Sequence, residues 1–179
     1  GRLVVARAEQ VRDVSEFVAL VVREGVSVLN QTPAAFGRFA DWTVAKSVEL
    51  PALRMVIFGG DKLQPARLAA WAQRVPLSRV RLINMYGITE TTVHVTVHEL
   101  SEAEIAGQLG AASLVGRPLP ETTVWIVDRF DNLQPPNIPG EILVGGSGVC
   151  QGYLNRPALT AQRFGEHTDQ ALGRVYRSG

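Results

Sequence analysis

Short apolar runs alternate with longer amphipathic stretches over the first 85 residues. Leu3-Val4-Val5-Ala6, Val26 to Leu29, Leu53 to Phe58 and Arg81 to Met85 have the length and composition of strands. Three helix candidates lie between them. Val11 to Glu24 places Val14, Phe17, Val18, Val21 and Val22 on one face, with Gly25 as its stop. Thr32-Pro33 opens the second, a cap residue followed by proline at the first helical position. Its apolar face carries Phe36, Phe39, Ala40 and Trp42. Pro65 to Val75 is the third, with Leu68, Ala69, Trp71 and Ala72 turned inward or half-buried. Alternation of this kind predicts a parallel α/β layer, and the almost wholly apolar run at Leu53 to Phe58 fits a strand covered on both faces.

The pattern changes further on. Val93, Val95 and Val97 alternate with His94, Thr96 and His98, the period of a half-buried strand. Ser101 to Gly107 reads as a short helix, with Ser101 as cap and Glu104 at capping-box spacing. Beyond residue 112, short β runs with turn signals take over at Thr122 to Val127 and Glu141 to Val144. Asn155 to Phe164 is a further helix candidate opened by Pro157, and Val175 to Gly179 begins like a strand. The expected division is an α/β part at 1–112 and a small β-rich part, a distorted barrel, at 113–179.

Between Met85 and Val93 sits a dense polar turn, Tyr86-Gly87-Ile88-Thr89-Glu90-Thr91-Thr92. Open α/β sheets bind ligands at the carboxyl ends of their strands. Tyr86 offers a flat face for a purine, Asn84 a donor and an acceptor for a base edge, and Gly87 close backbone approach. Thr89, Thr91 and Thr92 can hydrogen-bond phosphate oxygens, and Glu90 is a hard oxygen ligand for magnesium. The same residues also suit a β-turn whose threonines satisfy local backbone groups.

Composition narrows the field. The chain has 179 residues, 46% hydrophobic, enough for a real core. Its net charge of +1 gives no electrostatic footprint for nucleic acid or an anionic membrane. No apolar run reaches the roughly 18–20 residues that span a bilayer, and the N-terminal stretch has no signal-peptide core. The single cysteine, Cys150, excludes an internal disulfide and fits a reducing cytoplasm. His94, His98 and His167 do not form a metal cluster with it; His94 and His98 share a strand face, which reads as a polar face ahead of a zinc pair.

The order of residues in Asn84-Met85-Tyr86-Gly87-Ile88-Thr89-Glu90-Thr91-Thr92 resembles the core motif of the adenylate-forming superfamily, above all the amino-acid adenylation domains of nonribosomal peptide synthetases. Ile88 departs from the family's more frequent proline. The stretch Gly140 to Pro157, continued by Leu159-Thr160-Ala161-Gln162-Arg163-Phe164, resembles the family's later glycine-rich motif. Its glycines read as tight β turns and bulges that chiefly shape the subdomain. Tyr176-Arg177-Ser178-Gly179 resembles the start of the next motif. Gly59-Gly60-Asp61 matches the strand end that lies against adenine in the family, with Asp61 in place of glutamate. The resemblance covers essentially the whole chain and implies a central fragment built on a flavodoxin-like sheet. The family's phosphate loop is expected before Gly1, and its hinge and catalytic lysine after Gly179, so the isolated chain is expected to be inactive.

The resemblance implies ATP and Mg2+ as cofactors, and an amino-acid carboxylate attacking the α-phosphorus of ATP. The acyl group would then pass to phosphopantetheine on a carrier domain, in a synthetase that also holds condensation domains and makes an antibiotic-type peptide. By resemblance, Gly59, Gly60, Asp61, Asn84, Tyr86 and Gly87 hold the nucleotide, Thr89 touches the α-phosphate and Glu90 holds magnesium. Asn30, Ile57, Gly59, Met85, Val93 and His94 match the amino-acid pocket, and their series resembles that of threonine-activating domains. Asn30 and His94 can bond a hydroxyl while Ile57, Met85 and Val93 pack a methyl. The helix at Arg156 to Phe164 reads either as solvated or as neighbour to an MbtH-like protein. An acyl- or aryl-CoA ligase, and a non-catalytic folded subdomain used for binding or engineering, are the competing readings.

Overall fold

A computed structural model describes residues 1–110, 112–167 and 173–178. These form two compact units, one made of Gly1–Met85 and His98–Gly116, the other of Tyr86–Val97 and Arg117–Gly179. The polar turn therefore groups with the later, β-rich residues.

From residue 28 on, the strands of the first unit follow the apolar pattern. Three parallel strands, β1 (Val28–Gln31), β2 (Met55–Phe58) and β3 (Arg81–Tyr86, its last residue counted with the second unit), pair in that order. The first expected helix is two. α1 (Ala8–Arg12) ends at Asp13, whose carboxylate accepts from the N–H groups of Ser15 and Glu16 and so starts α2 (Val14–Arg23). Gly25 follows at φ +59°, the left-handed stop. α3 (Pro33–Ala45) opens as expected, with the Thr32 hydroxyl accepting from Ala35 N–H at 3.3 Å. Pro65–Leu68 is a 3-10 turn rather than regular helix and leads into α4 (Ala69–Arg74). α5 (Glu102–Ile105) carries the capping box at Ser101 and Glu104. The Glu104 carboxylate also meets His98 at 2.7 Å. Burial would raise its pKa, but bonds from the Ser101 hydroxyl and N–H and from His98 hold it below the usual range.

The core of this unit centres on Phe36, which is fully buried. Its ring lies 5.1 Å from Phe58, 5.2 Å from Trp71 and 5.6 Å from Phe39, centroid to centroid. Leu3-Val4-Val5-Ala6 is not a strand: Leu3 is 88% exposed, and the run has no ladder partner among the described residues. Apolar composition without a neighbouring edge does not make a strand.

In the second unit, β4 (Thr96–Glu99, of which Thr96 and Val97 belong here) pairs antiparallel with β5 (Arg117–Pro118). A four-stranded antiparallel sheet runs β6-β7-β9-β8, with β6 Thr122–Val127, β7 Glu141–Gly146, β8 Phe164–Glu166 and β9 Arg174–Arg177. The β-rich part is thus an open sheet. Val127, Leu143 and Val175 form its core, with Trp125 packed beside them. Arg177 forks onto Asp131 with two bonds of 2.6 Å. α6 (Pro157–Arg163) is shorter than expected, since Asn155 sits at φ +56° outside it. Gly179, the last residue of the Tyr176-Arg177-Ser178-Gly179 stretch, lies outside the described residues. Among the described residues, no helix is long and apolar enough to cross a membrane.

Candidate functional site

In the first unit, the carboxyl ends of the parallel strands gather one set of residues. Asn30 on β1 is in register with Ile57 on β2, and Phe58 with Asn84 on β3. Asn30 is exposed and Ile57 half-buried, while Gly59 is buried directly after β2. Gly60 follows, and the Asp61 carboxylate accepts from Lys62 N–H at 2.7 Å. Asn84 is only 3% exposed, and its amide donates to Leu114 O at 2.7 Å. That bond and a longer one to Ser113 Oγ at 3.5 Å use its amide donors within the unit and leave its acceptor oxygen for a base edge. Met85 is half-buried.

The turn in the second unit is tightly closed. Val95 N–H donates to Tyr86 O at 2.7 Å, and Val93 N–H to Ile88 O at 3.0 Å. Thr89–Thr91 is a 3-10 turn, and Thr92 and Val93 follow at φ +60° and +70°. This corrects the expectation of a strand from Val93: the left-handed pair points the backbone out of extended geometry, β4 starts at Thr96, and Val93 is 60% exposed. Gly87 is needed at the pinch. A Cβ there would lie 2.1 Å from Val93 O and 2.8 Å from His94 Cα. The side chain of Tyr86 is half-buried; burial, with the nearby Tyr176, raises its phenol pKa.

The polar groups of the turn divide sharply. Thr91 donates to Ile88 O at 3.2 Å and Thr92 to Gly148 O at 2.7 Å, so both hydroxyls serve the backbone. Thr89 is exposed and its hydroxyl bonds no described residue. The Glu90 carboxylate accepts one hydrogen bond, from the Tyr153 hydroxyl at 2.6 Å. His94 Nδ1 is buried and has no hydrogen-bond partner among the described residues. Native structures rarely tolerate such a group without a reason.

The glycine-rich stretch holds this turn as well as shaping the sheet. Cys150 N–H donates to Glu90 O at 2.9 Å, alongside the bonds from Thr92 to Gly148 and from Tyr153 to Glu90. Tyr153 is the residue that motif reading missed. Its signal was an aromatic hydroxyl in a stretch otherwise rich in glycine, too weak to find a partner 63 residues away.

Comparison with known proteins shows what the chain is similar to. Residues 1–154 match the family described as AMP-binding enzyme. The chain is 46% identical over 177 residues to a plipastatin synthase of Bacillus subtilis (strain 168), a match that covers 99% of this chain and 7% of that protein. It is 44% identical over 182 residues to a dimodular nonribosomal peptide synthase of the same organism, covering 100% of this chain and 8% of that one. The chain therefore spans less than a tenth of the length of these curated relatives. Among solved structures, an NRPS protein containing adenylation and PCP domains superposes with a TM-score of 0.80 at 27% identity, over 93% of this chain and 32% of that one. A four-domain nonribosomal peptide synthetase bound to AMP and glycine gives 0.79 at 28% identity, over 97% and 12%.

Proposed function

The chain belongs to the AMP-binding enzyme family, and we propose that it is the substrate-selecting part of an amino-acid adenylation domain whose substrate is L-threonine. The observation that carries this reading is the division of polar groups in the Tyr86–His94 turn. Local structure consumes the hydroxyls of Thr91 and Thr92, but leaves the Thr89 hydroxyl, one Glu90 oxygen and the buried His94 Nδ1 without partners among the described residues. Phosphate, a metal ion and a substrate hydroxyl are partners of the right chemistry. The names of the similar proteins, a dimodular nonribosomal peptide synthase among them, support the same class.

In this reading the amino-acid carboxylate attacks the α-phosphorus of ATP. A carboxyl–phosphate anhydride bond forms, the bond to the β-phosphate oxygen breaks, and pyrophosphate leaves. Catalysis of this kind rests on positioning and charge neutralisation, so no protein nucleophile is required. Tyr86 stacks on the purine, worth about 1–3 kcal/mol by analogy with base stacking elsewhere. Gly59, Gly60 and Asp61 border it, Asn84 accepts from its edge, and Gly87 permits close approach. The Thr89 hydroxyl donates to the α-phosphate. Glu90 offers one hard carboxylate oxygen, which suits magnesium held mainly by the nucleotide's phosphates, and the ion would neutralise phosphate charge. Asn30 and His94 bind the threonine hydroxyl, and Ile57, Gly59, Met85 and Val93 shape room for its methyl. A phosphopantetheine thiol on a carrier domain then takes the acyl group: the thioester bond forms, the carboxyl–phosphate bond breaks, and AMP leaves.

The test uses a complete adenylation domain of other specificity in which residues 1–179 replace the corresponding segment. His94→Ala in that chimera lowers threonine-dependent pyrophosphate exchange roughly 10–100-fold, the equivalent of losing one buried hydrogen bond. It also erodes discrimination against valine. Threonine selectivity that survives His94→Ala contradicts the assignment.

A further inference from the structure

We propose that Tyr153 is a positioning residue for the Glu90 carboxylate, fixing one of its oxygens by a hydrogen bond so that the other is held ready for a metal–nucleotide complex. The inference rests on the reading of Glu90 as the metal-side carboxylate and adds the device that holds it. The Tyr153 hydroxyl donates to Glu90 Oε1 at 2.6 Å, the short range of an O–H donor on an ionised acceptor. The second oxygen accepts no hydrogen bond from any described residue.

The hydroxyl is itself held at both ends of its residue. Tyr153 N–H donates to the Thr160 hydroxyl at 2.9 Å. The ring stands edge-on to Phe164 at 5.4 Å, and Phe164 in turn to Tyr176 at 5.0 Å. Phe164 and Tyr176 are buried. Two further bonds tie the same stretches together, from Cys150 N–H to Glu90 O and from the Thr92 hydroxyl to Gly148 O. The carboxylate thus depends for its orientation on a packed aromatic row and not on its own flexible stem. Groups that orient metal ligands in this way commonly control affinity by about 10–100-fold.

The experiment measures protein-bound Mn2+ by electron paramagnetic resonance in the chimera, at saturating ATP and without amino acid, so that no turnover is read. Tyr153→Phe keeps the ring and removes the hydroxyl. It raises half-saturating Mn2+ about tenfold, with metal-free ATP binding and the melting temperature close to those of the parent. Glu90→Gln weakens Mn2+ at least as much, and adding Tyr153→Phe to it costs nothing more, because the two residues act as one unit. Tyr153→Ala, which also removes the ring from Phe164, lowers the melting temperature. Parental Mn2+ affinity in Tyr153→Phe beside a weakened Glu90→Gln overturns the positioning role alone. So does an additive double variant, or a Tyr153→Phe melting loss as large as that of Tyr153→Ala. Parental affinity in Glu90→Gln removes Glu90 from the metal and takes both readings with it.

Discussion

Gly87→Ala is expected to lower amino-acid-dependent pyrophosphate exchange about 100-fold in the chimera, the scale of a misplacement of about 1 Å at a reacting centre. A Cβ at residue 87 would sit 2.1 Å from Val93 O and 2.8 Å from both Val93 C and His94 Cα. All three are backbone atoms, so no flexible side chain can yield. Nor can the backbone move freely: Val93 N–H bonds Ile88 O, Val95 N–H bonds Tyr86 O, and Thr92 is held to Gly148. The turn must open, carrying His94 and Glu90 out of place. Overpacking of this kind costs about 1–3 kcal/mol of stability. Gly37→Ala is the control. It lies within α3 with nothing inside 4 Å of a built Cβ, and alanine there stabilises the helix by about 0.5–1 kcal/mol. Denaturant titration and exchange assays on both variants check the pair. A Gly87→Ala chimera with full exchange activity contradicts the account of the pinch.

The second large effect concerns stability. Phe36→Ala is expected to cost about 3–5 kcal/mol, read as a lower denaturation midpoint at unchanged slope. Phe36 is fully buried and contacts rings from its own helix, from β2 and from α4, so its removal leaves a cavity bounded by three elements. Those elements cannot collapse together without disturbing the pairing of Gln31, Phe58 and Asn84 at the strand ends. Loss below about 1 kcal/mol would show that the first unit is not organised around this cluster.

Local chemistry made much of the fold legible. Thr32-Pro33 and the pair Ser101 and Glu104 carry their caps within a few residues, and both caps form. The parallel strands announce themselves by apolar runs bounded by turn residues, and β1 to β3 pair as that alternation implies. What failed to show has physical causes. The alternation of Val93, Val95 and Val97 has the period of a strand, but Thr92 and Val93 are left-handed, a conformation that closure on Gly87 imposes and no periodicity encodes. Leu3-Val4-Val5 has strand composition but no neighbouring edge. At the site, residue types identified the turn, but three neighbouring threonines look equivalent in sequence. Only the hydrogen bonds separate Thr89 from Thr91 and Thr92. The bond from Tyr153 to Glu90 joins two motifs far apart in the chain, and nothing in either points to the other.

The central claim is that these residues choose threonine. The most direct measurement is pyrophosphate exchange by the chimera across a panel of threonine, serine, valine, the host's own amino acid and an aryl acid. The account predicts threonine first, serine lower by roughly 10–200-fold for one missing methyl, and valine well below because it leaves the polar pair unpaired. Retention of the host's preference, or activation of valine or the aryl acid ahead of threonine, contradicts the roles given to Asn30, Met85 and His94.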